Sequence, residues 1–514
     1  MRQYRAIVAI FAAGAMSAWT GHADTLATGS VFHDRDGNGQ RGTDEEGLPG
    51  VAVSNGREVV RTDADGGWSL PVAVNAVLFV VKPSQWMTPL NAQQIAQSYY
   101  VHCPAGSTDM GTPGIAPTGP LPESINFPLC AREEPEVFKA VFFADTQARG
   151  LREVNFVAHD VVEELIGTDA AFGVVLGDIT ADGPALFPEI SQALAQTGVP
   201  WYYIFGNHDH HRDAPAEPHT EAAFNRLFGP ATYAFEYGPV SFIGLRNVWF
   251  EPGGKNRNGF NEDQITFVRD YLKDVPAGRL VVLMMHVPLM GCSNREKLFR
   301  LIENRPHTFS ISGHVHEQFH LFLDARHGWK GASPHHHLVN ATVSGSWWCG
   351  TLDETGIPHA TMNDGAPNGY SVITFEGNRY RVAFKAARRP AEYQMNIYLP
   401  DDIEQAKSIE TQVLVNVFAG SERSRVEMQL DAKDPWLPLE QTRGIDPECL
   451  RMHQQNDYLN EEVFGWKMDA PSQTGHLWKA SLPGTLPTGT HTLRIRTTDM
   501  FGQSYAAFRV FRVH

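Results

Sequence analysis

The sequence is poor in charged residues, and its charge is not of the sign that nucleic acids attract. Charged residues make up 19% of the 514 residues, and the excess of acidic over basic side chains gives a formal net charge of -16. A nucleic acid would be repelled by such a surface, so general nucleic-acid binding is excluded. A small phosphorylated substrate is still allowed, because a bound metal ion can reverse the local charge.

Cysteine is also scarce. The five cysteines include no CxxC pair, so the sequence gives no indication of a thiolate metal site. Because five is an odd number, at least one thiol stays free or pairs between chains. We expect Cys103 and Cys130, which flank a loop rich in glycine and proline, to form a disulfide bond in an oxidising compartment.

Long apolar runs are absent after the N-terminus. Residues 6–19 form one such run, which follows Arg2 and Arg5 and precedes a small-residue cleavage signal at residues 21–23. The run is too short to span a bilayer comfortably. The pattern predicts that residues 1–23 are a signal peptide, with an uncleaved anchor as the alternative. The mature chain is then exported, either periplasmic or secreted, and has no transmembrane segment.

The chain is too long for one ordinary hydrophobic core, so two or three domains are expected. Residues 24–131 contain short runs of alternating hydrophobicity between glycine, asparagine and aspartate turns, which predicts a small β-sandwich and a linker. Residues 388–514 show the same pattern and predict a second β-sandwich. Between them, in residues 132–387, buried strands alternate with helical segments, which is typical of an α/β layer structure.

The first sandwich contains an acidic loop with the spacing of a calcium site. The oxygen ligands would come from Asp34, Asp36, Asn38 and Glu45, with a glycine at position 39. The flanking segments have the pattern of strands, so the loop is similar to the calcium loops of bacterial surface β-sandwich repeats rather than to an EF-hand. A structural calcium ion and a plain turn rich in aspartate and glycine both remain open.

In the middle domain, five apolar runs each end in residues that can bind a metal. The ends carry Asp145 and Gln147; Asp178; Asn207, His208 and Asp209; His286; and His314 and His316. Any one of these could be a helix cap or a hydrogen-bonded rim residue. Five successive strand ends, however, converge at one edge of an α/β sheet, where such proteins bind their ligands. The sequence therefore predicts a metal site at this edge.

The order of these blocks is DxQ, GD, GNHD, a single histidine and GHVH, and it resembles the calcineurin-like metallophosphoesterase family over about residues 136–385. The resemblance implies two packed sheets flanked by helices, with two metal ions at the strand ends. The whole chain is then a multidomain α+β protein whose α/β catalytic sandwich lies between two small all-β sandwiches. The flanking sandwiches resemble those of a secreted bacterial branch, and the first is similar to Cna-B or prealbumin-like domains.

The resemblance also implies a role for each residue. One metal would be held by Asp145, Gln147, Asp178 and His316, and the other by Asp178, Asn207, His286 and His314. The bridging carboxylate of Asp178 lets two cations lie about 3.5–4 Å apart. The cations, Mn, Fe, Zn or Mg, would activate a bridging hydroxide that attacks phosphorus, while Asn207 stabilises the developing charge and His208 assists the leaving group.

Two positions depart from the family pattern. Gln147 stands where histidine is commonest, and its neutral amide oxygen favours Mn or Mg over Zn. Ala181 stands three residues after Asp178, where many relatives carry a side chain that orients the catalytic histidine. The neighbouring Asp182 is the candidate for that orienting role.

Several residues near the predicted edge are candidates for substrate contact. His210 and Asn247 are the first of these, and Asp364 is a further candidate for the wall of the site. The pair Trp347 and Trp348 either lines the site or packs against the sheet, and we expect packing. Asp209 is expected to brace its own loop through hydrogen bonds.

The sequence as a whole predicts an exported dinuclear-metal phosphoesterase that hydrolyses phosphate monoesters or diesters. Its substrate would be a small phosphorylated molecule or a phosphorylated macromolecule. The alternative is a non-catalytic surface binding protein that retains a phosphoesterase scaffold, but every ligand position is kept, which favours the enzyme. A second histidine-rich tract, at residues 335–337, is expected to be a solvated loop.

Overall fold

The computed structural model describes residues 25–108, 110–214, 217–251, 255–432, 434–455 and 467–514. The predicted signal peptide, residues 1–23, lies outside the described residues. Three regions follow one another along the chain, and each has its own hydrophobic core. None of the helices in the described part of the chain combines the length and apolar character needed to cross a bilayer.

The N-terminal region is a β-sandwich of two four-stranded sheets. Its strands are β1 (Thr25–His33), β2 (Ala52–Ser54), β3 (Val59–Arg61), β4 (Gly67–Val72), β5 (Ala76–Val80), β6 (Trp86–Met87), β7 (Tyr99–His102) and β8 (Ile125–Ala131). The strand orders are β4-β1-β8-β6 and β3-β2-β5-β7. Alternate residues of β8, namely Ile125, Phe127 and Leu129, point into the core, as expected for a sheet with one solvated face.

The expected disulfide bond between Cys103 and Cys130 is wrong, because all five cysteines of the chain are free. Cys130 lies on β8 in one sheet of the sandwich, whereas Cys103 follows β7 in the other sheet. The Sγ atom of Cys103 lies 3.1 Å from the Oδ1 atom of Asn75 instead. Although Cys103 and Cys130 stand on either side of one loop in the sequence, the fold does not join their thiols.

The central region contains two sheets packed face to face. Its strands are β9 (Val137–Phe143), β10 (Ala170–Val175), β11 (Trp201–Tyr203), β12 (Tyr233–Tyr237), β13 (Val240–Leu245), β14 (Val248–Glu251), β15 (Lys255–Asn258), β16 (Leu280–Met285), β17 (Thr308–Ser312), β18 (Phe319–Leu323), β19 (His335–Val339), β20 (Gly369–Glu376) and β21 (Arg379–Ala386). One sheet has the order β11-β10-β9-β20-β21, and the other has the order β12-β13-β16-β17-β19-β18. A separate hairpin is formed by β14 and β15.

Helices cover the outer faces of both sheets. They are α1 (Leu151–Val157), α2 (Phe187–Ala195), α3 (Ala222–Phe228), α4 (Glu262–Leu272) and α5 (Arg295–Ile302). Single turns of other helical types cover Ala158–Val162, Glu163–Leu165, Pro184–Leu186, Glu217–His219, Leu289–Gly291 and Ala325–His327. Helix α4 begins at a capping box in which Asn261 and Gln264 satisfy each other's backbone N–H groups. Its residues Phe267, Val268 and Tyr271 are buried against the six-stranded sheet.

The layers are thus helix, sheet, sheet and helix. Helices α1, α2 and α3 pack against the five-stranded sheet, and α4 and α5 pack against the six-stranded sheet. Between the sheets lies a third core, to which Phe142, Val174, Phe242, Val282 and Ile373 contribute. The predicted fold class is confirmed, because this two-sheet sandwich lies between two β domains.

Parallel pairing determines where the functional loops leave the sheets. Strands β9, β10 and β11 are parallel, with Phe143 opposite Val175 and Val175 opposite Tyr203. In the other sheet β16 runs parallel to β17, with Met284 opposite Ile311. The segments that follow these five strands therefore leave at their carboxyl ends, where open α/β sheets hold their ligands.

The expectation that residues 335–337 form a solvated loop is wrong. These residues begin β19, which pairs with both β17 and β18, and all three histidines are buried. The rings of His335 and His337 each lie within hydrogen-bonding distance of the hydroxyl of Ser310. On the other face, His336 lies between His320 and Tyr380, at 2.8 and 2.7 Å.

The C-terminal region is a second β-sandwich. Its elements are β22 (Met395–Tyr398), β23 (Asp402–Ile403), β24 (Gln412–Val417), β25 (Arg425–Leu430), β26 (Leu437–Pro438), β27 (Glu440–Gly444), α6 (Pro447–Gln455), β28 (Thr474–Ser481), β29 (Gly489–Thr498) and β30 (Ser504–Val513), with a 3-10 segment at Gln405–Glu410. The two sheets have the orders β22-β24-β28-β27 and β23-β30-β29-β25-β26. Residues such as Val415, Met428, Trp478 and Ile495 fill the space between them.

Candidate metal centre

The loops after β9, β10, β11, β16 and β17 meet at one edge of the central region. At their meeting point, one ligand atom each of Asp178, His286 and His314 lies within 4.8 Å of the others. Every residue that the sequence predicts as a ligand of the two-metal site lies on one of these loops. The carboxyl ends of strands from both sheets therefore build a single cluster.

Asp178 lies at the centre of the cluster and is almost fully buried. Its Oδ1 atom accepts a hydrogen bond from the backbone N–H of His208 at 2.8 Å. Its Oδ2 atom lies 3.1 Å from Nε2 of His286 and 3.2 Å from Nε2 of Gln147. A Cβ atom on Gly206 would come within 2.2 Å of both the backbone nitrogen and Oδ1 of Asp178. The glycine of the GNHD block is therefore required for Asp178 to reach this position.

Asp145 supplies a second buried carboxylate. Its Oδ2 atom accepts a hydrogen bond from the backbone N–H of His314 at 2.9 Å, and its Oδ1 atom lies 3.6 Å from Nε2 of His316. Within the described residues, no donor forms a hydrogen bond to that Oδ1 atom, although it is buried. A buried carboxylate oxygen without a donor is costly unless a cation lies next to it. This orphaned atom therefore fits a metal ligand.

Two histidines of the cluster, His286 and His316, present one ring nitrogen to the site and anchor the other. Nδ1 of His286 lies 2.9 Å from the carbonyl oxygen of Leu176, and Nδ1 of His316 contacts the carbonyl oxygen of Gly345. A backbone carbonyl accepts only from a protonated nitrogen, so Nδ1 of each ring carries a proton and Nε2 is the nitrogen that faces the site. Nε2 of His286 lies 3.0 Å from Oδ1 of Asn207. This is the arrangement that metal-binding histidines require.

The pKa values of these buried groups depend on one another's charges. Burial lowers the pKa of His286, but the carboxylates of Asp178 and Asp145 outweigh that effect and raise it to about 9. Burial acts against the ionised form of Asp178, yet the neighbouring His286 keeps its pKa below the ordinary value. Burial raises the pKa of Asp145 to about 8, and the charge of Asp178 contributes to this rise. Metal binding would supply positive charge to these carboxylates and would be coupled to proton release.

The backbone at the cluster is strained. Five of the predicted ligands have positive φ angles, namely Asp145 (51°), Gln147 (37°), Asp178 (50°), His314 (80°) and His316 (53°). A residue other than glycine in this region costs about 1–3 kcal/mol, and such strain concentrates at functional sites. The backbone is strained at these five positions, and this conformation directs the five side chains toward one another.

His208 lies beside the cluster rather than within it. Its Nδ1 atom contacts the carbonyl oxygen of Ala181, and it lies 3.8 Å from Oδ1 of Asp182. Asp182 instead forms an ion pair with Arg212. The backbone carbonyl of Ala181 therefore orients the ring, and Asp182 does not take the predicted orienting role directly. A carbonyl at this position makes an orienting side chain unnecessary.

Comparisons with known proteins agree with this geometry. The N terminal of calcineurin-like phosphoesterase matches residues 35–111, calcineurin-like phosphoesterase itself matches residues 138–318, and the C terminal of calcineurin-like phosphoesterase matches residues 337–505. The chain is a calcineurin-like phosphoesterase. It is thus a metal-dependent phosphoric ester hydrolase, and the family implies divalent metal ions.

A solved purple acid phosphatase from seeds of yellow lupin (Lupinus luteus) is 12% identical, and the match covers 66% of this chain and 67% of that chain with a TM-score of 0.36. Comparison with curated proteins finds no match. The family assignment therefore rests on the three successive family matches.

The two residues predicted to contact the substrate differ in their surroundings. His210 is half-buried, with Nδ1 at 2.8 Å from the carbonyl oxygen of Asn207 and its ring stacked on Phe250 at 3.7 Å. Its substrate contact stays a prediction. Asn247, in contrast, is fully buried, and its amide group donates to and accepts from the backbone of Val287 at 2.7 and 3.1 Å. Asn247 therefore braces the loop after His286, and this role replaces the predicted substrate contact.

Two acidic residues also have bracing roles. Asp209 accepts hydrogen bonds from the backbone N–H groups of Ile179 and Gly206, each at 2.8 Å, as predicted for a residue that holds its own loop. Burial raises the pKa of Asp209 to about 7, and the charge of Asp178 adds to the effect. Asp364, predicted as part of the wall, is instead buried and accepts a hydrogen bond from the backbone of Gln318 at 2.6 Å.

Of the two adjacent tryptophans, one packs in the core and the other lines the site. Trp348 is buried and donates from its indole nitrogen to the carbonyl oxygen of Thr146 at 2.9 Å, so it packs as expected. Trp347 has a positive φ of 66°, stacks on the ring of His316 at 5.4 Å, and meets His208 edge-on at 4.9 Å. The guanidinium group of Arg149 lies over the same indole ring at 5.3 Å. Trp347 and Arg149 therefore form a wall of the site, and the sequence analysis did not identify Arg149.

The acidic loop of the N-terminal sandwich brings three carboxylates together. One oxygen each of Asp34, Asp36 and Glu45 lies within 4.8 Å of the others, and Asp34 and Glu45 are buried. The amide nitrogen of Asn38 donates to Oδ2 of Asp36 at 2.6 Å. Asp34 also accepts hydrogen bonds from two backbone N–H groups of the same loop, which a plain turn would show as well. Calcium binding here stays a prediction.

Proposed function

We propose that this phosphoesterase hydrolyses phosphate monoesters or diesters with two divalent cations that share Asp178. The observation that carries the proposal is the position of Oδ2 of Asp178. This atom lies between His286 of one predicted ligand set, at 3.1 Å, and Gln147 of the other, at 3.2 Å. A carboxylate between two cations reduces their mutual repulsion. The geometry thus supports a centre with two metals that meet at Asp178.

The donor set fits divalent cations. Asp145, Gln147, Asp178 and His316 would hold one cation, and Asp178, Asn207, His286 and His314 would hold the other. Two carboxylates, two amides and three imidazoles combine hard oxygen and intermediate nitrogen donors, which suits Mn, Fe, Zn or Mg. For Gln147 to act as a ligand, its amide oxygen rather than its nitrogen must face Asp178, which is a half-turn of the amide group. When bound, the cations supply Lewis-acid polarisation of the phosphate and activation of a water molecule.

Two side chains act on the substrate from beside the cations. Asn207 directs its Oδ1 atom toward His286, which leaves its amide N–H groups free to donate to a phosphate oxygen. His208 donates from Nδ1 to the carbonyl oxygen of Ala181, so its Nε2 atom can carry a second proton. That proton passes to the oxygen of the leaving alcohol as the phosphorus–oxygen bond breaks. The edge-on contact with Trp347 keeps the imidazole ring in place for this transfer.

Hydrolysis assays on the full chain test the proposal. We expect the purified protein with added Mn to hydrolyse p-nitrophenyl phosphate, bis(p-nitrophenyl) phosphate or both. The relative rates of hydrolysis of these two substrates show whether the enzyme prefers monoesters or diesters. The variant Asp178→Asn should lose activity by about 10³-fold, since it removes the shared charge. Asp431→Asn, in the C-terminal sandwich, is the control and should keep wild-type activity. Absence of turnover of both substrates, or an Asp178→Asn variant as active as the wild type, would contradict the proposal.

We also propose that the protein is exported, and that it acts in the periplasm or outside the cell. Support comes from the positive start, apolar run and small-residue cleavage pattern of residues 1–23. Sequencing the N-terminus of the full-length protein after expression in a bacterium tests this. Mature protein beginning at Asp24 in the periplasm or medium is expected, whereas protein retained in the cytoplasm with residues 1–23 intact would refute the proposal.

A further inference from the structure

The loop after β17 needs external support to present its two histidines. Both His314 and His316 hold positive φ angles, of 80° and 53°. Such strain persists only where surrounding contacts determine the backbone, since each position costs about 1–3 kcal/mol. The first half of the loop is supported from within the cluster, because the backbone N–H of His314 donates to Asp145. The second half, from His316 onward, has a different support.

That support comes from two consecutive residues, Asn363 and Asp364. The backbone N–H of Asn363 donates to the carbonyl oxygen of His316 at 3.1 Å. Two residues further along the loop, the backbone N–H of Gln318 donates to Oδ2 of Asp364 at 2.6 Å. Asp364 is 1% exposed, and its Oδ1 atom accepts from the backbone N–H of Ala366. The carboxylate of Asp364 therefore holds the end of the metal loop from a fully buried position.

A buried carboxylate needs a polar partner, and the C-terminal sandwich places His476 beside it. Nε2 of His476, on β28, lies 3.1 Å from Oδ2 of Asp364, and both residues are buried. Nδ1 of His476 lies 2.7 Å from Oδ1 of Asn416 on β24. The amide nitrogen of Asn416 donates to the carboxylate of Asp446 at 2.8 Å, which fixes the orientation of the amide. Both ring nitrogens of His476 thus lie close to oxygen atoms, and one of these belongs to the carboxylate of Asp364.

The network is anchored on the C-terminal side as well. Asp446 accepts hydrogen bonds from the hydroxyl of Tyr398 on β22 and from the backbone N–H of Cys449 on α6, at 2.7 and 2.8 Å. Elements β22, β24, β28 and α6 of the C-terminal region therefore converge on the network that reaches Asp364 through His476. Removing one partner of this buried pair leaves the polar atoms of the other without compensation, which is destabilising locally.

We propose that His476 is a positioning residue for the metal centre. Through Asp364, it holds the loop of residues 313–318 in the strained conformation that presents His314 and His316. The C-terminal sandwich is then part of the active site's support rather than an independent appendage. The inference rests on the proposed metal centre, because it takes these two histidines to be ligands.

The test compares two histidine–aspartate pairs of the same sandwich. His476→Leu removes the imidazole group beside Asp364 but fills the volume. The matched control is His491→Leu, since His491 is also buried and lies 2.9 Å from Asp431, but on β29 and away from the metal loop. Affinity for Mn is measured on the full chain by titration, and hydrogen exchange is measured on the peptide of residues 313–318. We expect His476→Leu to bind Mn 10–100-fold more weakly, as is usual for partners one step removed from ligands.

Exchange in residues 313–318 should also become faster in His476→Leu, and neither property should change in His491→Leu. The variant His476→Gln, which keeps a polar group beside Asp364, should recover affinity to within roughly threefold of the wild type. If His476→Leu does not fold, Asp364→Asn serves instead and should weaken Mn binding at least tenfold.

The inference is overturned if His476→Leu and Asp364→Asn bind Mn as tightly as the wild type, or if His491→Leu weakens binding equally. A wild-type protein that binds no Mn would instead refute the proposed metal centre, so the two failures are distinguishable.

Discussion

Two groups of buried or half-buried histidines lie in or directly after strands of the same six-stranded sheet of this phosphoesterase, yet only one is suited to bind metal. The first group is His286, His314 and His316, in the loops after β16 and β17. The second is His320 together with the tract at residues 335–337, on the neighbouring strands β18 and β19. Residue type and burial are therefore similar, and the difference lies in their partners.

The histidines of the tract have hydroxyl and imidazole partners and regular strand geometry. His335 and His337 contact Ser310, and His336 contacts the hydroxyl of Tyr380. In the first group the partners include carboxylates, as in the 3.1 Å approach of His286 to Asp178.

The first group also has strained backbone and a buried carboxylate oxygen without a donor, whereas the ring nitrogens of the tract are hydrogen-bonded. A high density of histidines alone therefore does not identify a metal site. Carboxylate partners, strain and unmet hydrogen-bonding capacity do.

The largest expected effect comes from exchanging one histidine in each group. His286→Ala should lower hydrolysis of aryl phosphates by about 10³-fold, because a ligand at the shared carboxylate is lost. His337→Gln should keep activity to within a fewfold, since an amide can replace its contacts with serine hydroxyls. Steady-state kinetics with saturating Mn measure both. Equal losses in the two variants would remove the distinction between the groups.

A smaller effect is expected for a histidine that lies beside the first group. His208→Ala should lower kcat by about 10²-fold or more, because the leaving alcohol then departs without a proton donor. Its Mn content should equal that of the wild type. The loss should be larger for alkyl than for p-nitrophenyl esters, because p-nitrophenolate needs little protonation. Loss of bound Mn in this variant would show that His208 is a ligand instead.

A substitution at Gln147 changes the predicted set of metal ligands. Gln147→His replaces an amide oxygen with an imidazole and should raise the affinity for Zn relative to Mn by about tenfold. Competition titrations of the two metals measure the ratio. The variant Gln196→His, on the exposed surface after α2, is the control and should leave the ratio unchanged. A ratio that does not move in Gln147→His would mean that Gln147 does not contact a cation.

The second group predicts a dependence of stability on pH. Burial lowers the pKa of His335 and His337 to about 3 and that of His320 to about 4, below the ordinary value of about 6.5 in an unfolded chain. Their contribution to stability is present in full above about pH 6.5. It is lost as the pH falls toward the folded values, because only the unfolded chain takes up the protons.

Each such histidine contributes a slope of about 1.4 kcal/mol per pH unit in this window. Urea unfolding at saturating Mn between pH 6.5 and 5 measures it. His337→Gln should flatten the slope of the free energy of unfolding, whereas His159→Gln, at an exposed position, should not. A slope that is identical in all three proteins would contradict the neutral, buried state of the tract.

The acidic loop of the N-terminal sandwich gives the smallest expected effect. Calcium should raise the melting temperature of the full chain by a few degrees, as expected when a ligand binds only the folded state. Asp34→Asn should abolish the shift, and Asp44→Asn, on the same loop but outside the predicted ligand set, should retain it. A wild-type melt that does not respond to calcium would leave the loop as a hydrogen-bonded turn.

The sequence was informative where local pattern determines position. Polar residues directly after apolar runs predicted the loops that carry Asp178 and His286, because parallel strands deliver their ends to one edge. The supports from the backbone carbonyls of Leu176, Ala181 and Gly345 were not predictable, since every residue has such a group and only the fold selects which one is used.

The errors have the same origin. The tract at residues 335–337 has the composition of a loop, and its burial depends on Ser310 and Tyr380, which are distant in sequence. Asn247 follows a strand, as a site residue would, but its partner Val287 lies forty residues later. In each case the partner, rather than the residue itself, determines the role.

The stoichiometry of bound metal tests the central claim most directly. Wild-type protein loaded with Mn and dialysed should retain two Mn per chain by elemental analysis, Asp178→Asn should retain fewer than one, and His337→Gln should retain two. Two Mn per chain in Asp178→Asn, or loss of Mn in a folded His337→Gln variant, would contradict the assignment of the metal centre to the strand-end cluster.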